Sequence, residues 1–251
     1  MNFSVITVAY NSVETISQCC HSVATQNQPL VEHILIDGGS DDGTVEFLMQ
    51  YAASNGNVKL TSEPDDGIYN AMNKGLSQAS GDIICILNSD DYFQHSEVLS
   101  TVYNLFDLHS ESEAILTGIQ FFNAEGRILR KVDPKWFRPN RLSHGWMPPH
   151  PGMFLKRSVY DSIGGYREDF NIAADYEFCI RAFLVKKIEY KAVSDTTVNM
   201  RLGGVSTNGL FSVVTITREI VRACQYNGIR PNFIFLLLRL PLKKLLQYFD
   251  R

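Results

Sequence analysis

Four short apolar runs in the first half of the chain alternate with amphipathic stretches, and each run ends in polar turn residues. The runs are FSVITVAY, HILID, VKLTSE and DIICIL. Continuous apolar, β-branched runs are typical of strands that are covered on both faces. The stretch IYNAMNKGLSQAS has helical spacing, and Gly81 after it is predicted to be a left-handed helix cap. The alternation predicts an α/β fold with an open, mostly parallel sheet flanked by helices.

Polar side chains follow two of the predicted strands at the same edge of the sheet. Asp37 ends the second strand, and the fourth runs into Asn88, Ser89, Asp90 and Asp91. Ligands of such sheets bind beyond the carboxyl ends of the strands. Adjacent carboxylates there can hold Mg²⁺ or Mn²⁺, which take oxygen ligands and complete their shells with substrate phosphates. The alternative is a solvated turn whose aspartates cap the next helix.

The second half of the chain mixes strand and helix patterns. AILTGIQFF and RILRKV flank a turn at residues 123–126 and predict a hairpin. The proline-rich stretch 133–151 indicates an ordered loop. With 251 residues, 45% of them hydrophobic, and no linker, the chain is predicted to form one compact domain. Its net charge of -4 offers no basic field for nucleic acid.

Cysteine usage and the N-terminus predict the compartment. The five cysteines are odd in number and lack paired spacing, which favours reduced thiols in a cytoplasmic protein. A catalytic thiol is disfavoured because the cysteines lie in helix and strand patterns and are expected to be core or near-core thiols. MNFSVITVAYN has no basic region before an apolar stretch, so it indicates a strand and not a signal peptide. No apolar run reaches about 18 residues, so a soluble or membrane-surface protein is expected.

Four motifs in register carry a family resemblance. SVITVAYNS, ILIDGGSDDGT, EPDDGIYNAMNKGLSQASGD and ILNSDD, in this order, resemble the GT-A glycosyltransferases of family 2. These are inverting enzymes that use nucleotide-sugar donors. The resemblance is strong over residues 3–91, looser to residue 204, and closest to bacterial enzymes of surface-polysaccharide synthesis such as the colanic-acid type.

The resemblance implies a single GT-A domain over residues 1–251 with a Rossmann-like, mostly parallel sheet. Residues 1–110 would form the nucleotide-sugar-binding half, 111–210 a mixed acceptor-binding half, and 211–251 a C-terminal helical tail. Asp37 would pair with the nucleobase. The other implied donor contacts are Tyr10, Asn11, Asp66, Gly67 and Asn73.

The DxD motif of the family corresponds to NSDD in this sequence. The resemblance implies that Asp90 lies near the ribose or diphosphate and that Asp91 binds Mn²⁺ or Mg²⁺. Asn88 stands where many relatives have a first aspartate, so that position offers a neutral oxygen. A bound cation would stabilise the charge that develops on the leaving diphosphate.

An inverting transfer needs a base to take the proton of the acceptor hydroxyl. In NIAADYEFCIRA the resemblance assigns this role to Asp175, with Glu177 as the fallback. Ala174 replaces a glutamate that is frequent in relatives, so acceptor contacts are expected to differ. The alternative for Asp175 is a helix cap.

Two further residues are candidates for substrate binding. His150 lies where similar enzymes contact the acceptor, and its alternative role is structural. Arg201 precedes Gly203-Gly204, which resembles the loop that folds over the donor diphosphate in relatives. Arg201 could neutralise phosphate charge, or it could form a surface ion pair.

The C-terminal sequence NFIFLLLRLPLKKLLQYF is apolar and carries interspersed basic residues. It fits an interfacial helix on an anionic membrane, where lipid-linked acceptors reside. It fits equally a helix packed on its own domain or on a second subunit of a homo-oligomer.

Together these features predict an inverting, metal-dependent glycosyltransferase that moves a sugar from a nucleotide-sugar donor to a glycan or lipid-linked acceptor in surface polysaccharide synthesis. It would be cytoplasmic and peripheral at the inner face of the membrane. An inactive nucleotide-sugar-binding module is the alternative that Asn88 and Ala174 keep open. A sugar nucleotidyltransferase is disfavoured because TVAYNS lacks a glycine-rich loop with a basic residue.

Overall fold

A computed structural model describes residues 1–28, 31–123, 126–202 and 209–232, with side chains from residue 214 onward in the last segment. The strands are β1 (Phe3–Ala9), β2 (Val31–Asp37), β3 (Val58–Ser62), β4 (Ile83–Ile86), β5 (Tyr92–Phe93), β6 (Ala114–Phe122), β7 (Ile128–Val132), β8 (Met153–Lys156) and β9 (Tyr190–Arg201). The helices are α1 (Ile16–Ala24), α2 (Thr44–Ser54), α3 (Ile68–Gln78), α4 (Val98–Leu108), α5 (Arg157–Ile163), α6 (Ala174–Cys179) and α7 (Gly209–Tyr226). A π-helical segment, Ile180–Lys186, continues α6.

The nine described strands form one sheet in the order β3-β2-β1-β4-β8-β6-β9-β5, with β7 paired to β6. The first four strands of this order are parallel, as the strand and helix alternation predicted. Ala9, Asp37 and Ser62 are in register, so β1, β2 and β3 end at one edge. The residues after β4 reach the same edge, because Leu87 and Ser89 donate backbone hydrogen bonds to Ile6 and Val8.

The rest of the chain extends the sheet beyond β4 with strands β8, β6, β9 and β5. β8 runs antiparallel to β4, and β6 runs antiparallel to β8 and parallel to β9. The two-residue strand β5, which directly follows Asp91, pairs with β9 through Tyr92 and Asn199. The end of β9 therefore lies beside the end of β4, although the two are more than a hundred residues apart in sequence.

Both faces of the central strands β1 and β4 are buried. In β1, Phe3 and Val5 pack into one apolar cluster with α1 and α4, whereas Ile6 and Val8 pack into another with α3, α5, α6 and α7. Each fully buried aliphatic or aromatic side chain contributes roughly 1.5–3 kcal/mol to folding. A strand buried on both faces has no polar alternation, which is why FSVITVAY is continuously apolar.

The prediction for Gly81 is wrong. Helix α3 ends at Gln78, and its cap residue Ala79 is extended. Gly81 is not among the left-handed residues. A Cβ at this position would lie 2.7 Å from the backbone nitrogen of Ser4, so glycine is required by the close approach of β1.

None of the helices within the described ranges is long and apolar enough to cross a bilayer. All five cysteines are buried free thiols. The predicted membrane-binding tail, residues 233–251, and the Gly203-Gly204 pair lie outside the described residues.

Candidate active site

Asp37 is a buried carboxylate whose hydrogen bonds build the turn after β2. One oxygen accepts from the backbone amides of Gly39 and Ser40, at 3.0 and 3.1 Å, and from the Ser62 hydroxyl at 2.8 Å. The other accepts from the Ser40 hydroxyl. Its side chain has no exposed surface. Asp37 therefore fixes the turn that forms one wall of the sheet's ligand edge.

Tyr10 and Asn11 lie against this turn. Asn11 adopts a left-handed backbone with φ of 46°, which asparagine tolerates better than most residues. Its amide donates to the Ser40 hydroxyl at 2.8 Å, and its side-chain oxygen accepts from the Asp41 amide at 3.0 Å. The Tyr10 ring is 65% exposed, so an apolar face stands open at the mouth of the edge. An exposed ring here suits stacking against a planar ligand group.

Asp65 is a further residue of this pocket that the sequence analysis did not single out. A Cβ on Gly38 would lie 2.6 Å from Oδ2 of Asp65 and 3.4 Å from the Tyr10 ring, so these groups meet around Gly38. The other oxygen of Asp65 accepts from the Gly67 amide at 2.9 Å. The adjacent Asp66, which the sequence resemblance singled out, is exposed. Two neighbouring aspartates cannot be told apart by composition.

Gly67 and Asn73 hold neighbouring segments. Gly67 has φ of 107° and precedes α3, a conformation that favours glycine. The Asn73 side chain donates to the Tyr166 carbonyl and to Glu168, both at 2.8 Å, and accepts from the Tyr166 amide. Both amide hydrogens of Asn73 are thus engaged in tying the loop before α6 to α3. The structure does not bring Asn73 into the pocket of Tyr10 and Asp65.

The stretch after β4 contains polar atoms that lack partners. Asp91 has no exposed surface, and within the described residues neither of its carboxylate oxygens has a hydrogen-bond partner. The same is true of the side-chain oxygen of Asn88. Burial raises the pKa of Asp91 well above its usual range, and the charge of Asp90 raises it further. The main chain of Arg201 and the side chain of Asn88 lie near Asp91 but outside hydrogen-bond geometry. They lower the pKa of Asp91 by less than burial and Asp90 raise it.

Arg201 lies next to these carboxylates because β5 pairs with β9. Its guanidinium donates to Gln18 at 3.3 Å and lies 5.2 Å from the centre of the Phe122 ring, but its buried Nε has no partner among the described residues. Burial raises the pKa of Asp90, whereas the positive charge of Arg201 lowers it. The structure therefore brings together Asp90, Asp91 and Arg201, three of the predicted site residues.

This arrangement fits a hard divalent cation. Three buried oxygens, two on Asp91 and one on Asn88, have no partners in the described part of the chain, and a cation would satisfy them. The described residues contain no group of three or more His, Cys, Asp or Glu side chains around one point. An ion here would therefore take its remaining ligands from substrate oxygens or water, as Mg²⁺ commonly does.

A second cluster surrounds Asp175 in the first turn of α6. One oxygen of Asp175 accepts from the Tyr176 amide at 2.8 Å and from the Tyr69 hydroxyl at 3.4 Å. Burial raises the pKa of Asp175, and the nearby His150 counteracts this. His150 contacts the Tyr166 hydroxyl at 2.8 Å, and burial lowers its pKa. The structure thus places His150 and Asp175 in one pocket with Tyr69 and Tyr166.

Glu219 of α7 holds the backbone that leads into α6. Its buried carboxylate accepts from the amides of Asn171, Ile172 and Ala173 at 2.8 to 2.9 Å. It therefore supplies the anchoring that an N-cap would give, and Asp175 makes no side-chain cap of α6. No local sequence signal could reveal Glu219, because it lies more than forty residues away.

Glu177, the fallback base, is committed elsewhere. Both of its oxygens accept from Arg181, at 2.9 and 3.0 Å, and one also accepts from Asn227 at 3.0 Å. The same arginine donates to the carbonyls of Ile163 and Gly165. Glu177 is therefore part of a buried structural network and does not face the pocket of Asp175.

Comparison with known sequences identifies the family. Residues 4–186 match the family described as Glycosyl transferase family 2. The chain is 37% identical over 184 residues to an uncharacterized glycosyltransferase of Mycobacterium tuberculosis, covering 72% of this chain and 69% of that protein. It is 28% identical over 185 residues to a PGL/p-HBAD biosynthesis glycosyltransferase of the same species, with the same coverage of 72% and 69%.

Solved structures share the fold. One is TarS of S. aureus in complex with UDP-GlcNAc, with a TM-score of 0.69 and 22% sequence identity. The match covers 89% of this chain and 66% of the TarS chain. Another is a mannosyltransferase of Pyrobaculum calidifontis in complex with GDP-Man and Mn²⁺, with a TM-score of 0.68 and 17% sequence identity. This match covers 90% of this chain and 63% of the mannosyltransferase chain. The chain thus spans slightly less than two thirds of each of these proteins. The predicted GT-A fold is confirmed, and the chain belongs to glycosyl transferase family 2.

Proposed function

We propose that this family 2 glycosyltransferase is inverting and metal-dependent, and that it transfers a sugar from a nucleotide-sugar donor to a glycan or lipid-linked acceptor. The observation that carries the proposal is the fully buried, unpartnered carboxylate of Asp91 at the sheet's ligand edge. Leaving a buried carboxylate without partners is costly, and a cation with its bound diphosphate would remove that cost.

The donor would occupy the edge formed by β1, β2 and β4. The relatives crystallised with UDP-GlcNAc and with GDP-Man support a nucleotide-sugar donor. Tyr10 and Asn11 would contact the nucleotide, and Asp37 would pair with its base through the lone pairs that the turn leaves free. Asp65 adds a carboxylate to the same wall of the pocket. Asp66 and Gly67 lie on the next loop, and Asn73 would act by holding that region in place.

Asp91 would hold Mn²⁺ or Mg²⁺, and the Asn88 oxygen is available beside it. When bound, the ion neutralises charge on the leaving diphosphate. The mannosyltransferase of similar fold, which was solved with GDP-Man and Mn²⁺, supports this choice of metal. Asp90 would orient the ribose or the diphosphate. Arg201, whose positive charge acts on Asp90 and whose main chain lies near Asp91, would add positive charge to the same phosphates.

Asp175 would act as the general base. Its raised pKa makes the carboxylate a stronger base than a solvated aspartate, which helps it to take the proton of an acceptor hydroxyl. The hydroxyl oxygen would then attack the anomeric carbon as the bond to the diphosphate breaks, and the configuration inverts. His150, in the same pocket, would contact the acceptor.

The acceptor would be a glycan or lipid-linked saccharide in surface polysaccharide synthesis. The relative named a PGL/p-HBAD biosynthesis glycosyltransferase supports a role in glycan biosynthesis. The protein would work in the cytoplasm, peripheral to the inner face of the membrane through residues 233–251, alone or as a homo-oligomer.

The test is a transfer assay with a panel of nucleotide sugars and saccharide acceptors, with and without Mn²⁺. Release of the nucleoside diphosphate together with a glycosylated product of inverted anomeric configuration would support the proposal. The Asp175→Asn variant serves as the control that binds donor without transfer. Donor binding with no turnover on any acceptor would favour the inactive binding module instead.

A further inference from the structure

A surface segment between β7 and His150 exposes both tryptophans of the chain. Trp136 is 62% exposed and Trp146 is 53% exposed, and the sequence contains no other tryptophan. We call residues 135–146, KWFRPNRLSHGW, the tryptophan platform. Large exposed apolar side chains on an ordered segment commonly mark an interaction surface.

The platform is ordered because other side chains anchor it from below. Phe137 packs edge-on against Phe183 and Tyr190, at ring distances of 5.2 and 5.5 Å. Leu142 has no exposed surface, and its carbonyl accepts from the Tyr176 hydroxyl of α6. These inward anchors direct the tryptophans outward and connect the platform to the helix that carries Asp175.

The platform is also basic on an acidic protein. It contains Lys135, Arg138 and Arg141, all exposed, and no aspartate or glutamate, whereas the whole chain carries a net charge of -4. A concentration of positive charge beside exposed indole rings is complementary to an anionic surface. Two copies of the platform would repel one another, so self-association through it is disfavoured.

The position of the platform relates it to the tail and to the proposed acceptor pocket. The amide of Asn232 donates to the Ser143 carbonyl of the platform at 2.9 Å, and residues 233–251 follow Asn232 in the sequence. That continuation has an apolar sequence with Arg239, Lys243 and Lys244. At its other end the platform leads within four residues to His150.

We propose that the tryptophan platform docks on an anionic lipid bilayer, with the indole rings at the interface and the basic side chains on the headgroups. Indoles favour the region between water and hydrocarbon, and lysine and arginine are attracted to anionic lipids. The platform would then hold the pocket of His150 and Asp175 close to the membrane surface. This inference builds on the proposed membrane location and needs no assumption about the sugar or the metal.

Intrinsic fluorescence of the full chain tests the proposal directly, because both tryptophans lie on the platform. We expect a blue shift on adding vesicles of phosphatidylcholine with about one third phosphatidylglycerol. Brominated acyl chains should quench the emission, and salt should reverse both effects because it screens the charges. Phosphatidylcholine vesicles alone should give a weaker response.

Variants separate the platform from the tail. In vesicle sedimentation, Trp136→Ala with Trp146→Ala, and Lys135→Glu with Arg141→Glu, should each weaken binding to anionic vesicles by about tenfold or more. Matched controls elsewhere on the surface, Leu108→Ala with Met49→Ala and Arg157→Glu with Arg218→Glu, should bind like wild type. Transfer to a water-soluble acceptor should be unchanged in the platform variants, so loss of chemistry and loss of docking are distinguishable.

Three results would overturn the proposal. The first is sedimentation with anionic vesicles without any change in tryptophan emission, which would assign binding to another segment. The second is wild-type protein that binds no anionic vesicle. The third is tryptophan emission that changes with protein concentration in the absence of lipid, which would make the platform a contact between copies of the chain.

Discussion

Asp37 and Asp91 are two buried strand-end aspartates at the same edge of the sheet, yet their surroundings differ completely. Asp37 accepts four hydrogen bonds from a turn that it organises. Asp91 accepts none from the described residues, and its neighbour Asp90 adds a like charge. The first carboxylate stabilises the fold by itself, whereas the second is a cost to the fold that only a ligand could offset.

This difference separates carboxylates that the fold itself satisfies from carboxylates that are left for a ligand, and sequence position does not. Glu219, with three backbone donors, resembles Asp37, and Asp175, with one backbone donor and a distant hydroxyl, lies between the two extremes. Buried polar groups in proteins are nearly always satisfied, so an exception calls for an explanation in terms of a ligand.

The sharpest way to break the comparison is to remove both carboxylates in turn. Asp91→Ala should lower sugar transfer by about 10³-fold or more, because the cation loses its protein ligand. Its free energy of unfolding without metal should be unchanged or higher, because an unpaired buried carboxylate is gone. Asp37→Ala should instead destabilise the fold by at least about 2 kcal/mol, because two backbone amides and two hydroxyls lose their acceptor.

Steady-state transfer assays and urea denaturation without metal measure the two effects. If Asp91→Ala unfolds more easily than wild type while Asp37→Ala does not, the assignment of the two roles is wrong.

Asp175 tests the intermediate case. Asp175→Asn should lower kcat by about 10²–10³-fold with little change in stability, because the amide cannot take a proton. In wild type, kcat/KM should fall as pH decreases through the raised pKa of Asp175, so the acid limb should lie above the ordinary aspartate value of about 3.9.

Tyr69→Phe should shift the acid limb of the pH–rate profile, because it changes the surroundings of Asp175 and leaves its carboxylate in place. The Tyr69 hydroxyl lowers the pKa of Asp175, so its removal should raise that pKa and move the acid limb to higher pH. A pH–rate profile of kcat/KM checks this. A limb that stays in place in Tyr69→Phe would argue that another group is the base.

Glu219 tests the other type of buried carboxylate, one whose hydrogen bonds are satisfied within the fold. Glu219→Gln keeps the shape but weakens the acceptor of three amides, so it should destabilise the fold by about 1–3 kcal/mol. It should also lower kcat by about tenfold with little change in KM for the donor, because the loop that carries Asp175 shifts away from the acceptor. Thermal denaturation and steady-state kinetics measure the two effects, with Arg218→Gln as the neighbouring control. A normal kcat in a destabilised variant would limit Glu219 to folding.

The smallest effect is expected at Asn88. Asn88→Asp adds a carboxylate to the same cluster, so Mn²⁺ should bind several-fold more tightly while the metal-free protein becomes less stable through like-charge repulsion. Calorimetric titration with Mn²⁺ and a melting curve in a chelator test both parts. Unchanged Mn²⁺ affinity would place Asn88 outside the metal shell.

Much of the first half could be predicted from the sequence because its signals are local. Continuous apolar runs predicted β1, β2 and β4, and the shorter alternating run VKLTSE predicted β3. The polar residues at the ends of β2 and β4 do meet at one edge. Gly81 was misjudged because its reason is a contact with β1 and not the end of a helix.

The rest depends on contacts between distant segments. The two residues of β5 are too few to show a period, and only their pairing with β9 brings Arg201 beside Asp90. The anchoring of α6 by Glu219 crosses from one helix to another. Asp65 and Asp66 are equivalent in composition, and only the packing around Gly38 distinguishes them.

The most direct test of metal-dependent donor binding through Asp91 is a thermal-shift panel of UDP, GDP, CMP and TDP derivatives, with and without Mn²⁺, on wild type and on Asp91→Ala. A ligand that binds the folded state raises its melting temperature. We expect one nucleotide class to stabilise wild type strongly with Mn²⁺ and only weakly without it, and Asp91→Ala to lose the Mn²⁺-dependent part. Equal stabilisation of both proteins by nucleotide and Mn²⁺ would contradict the assignment of the metal to Asp91.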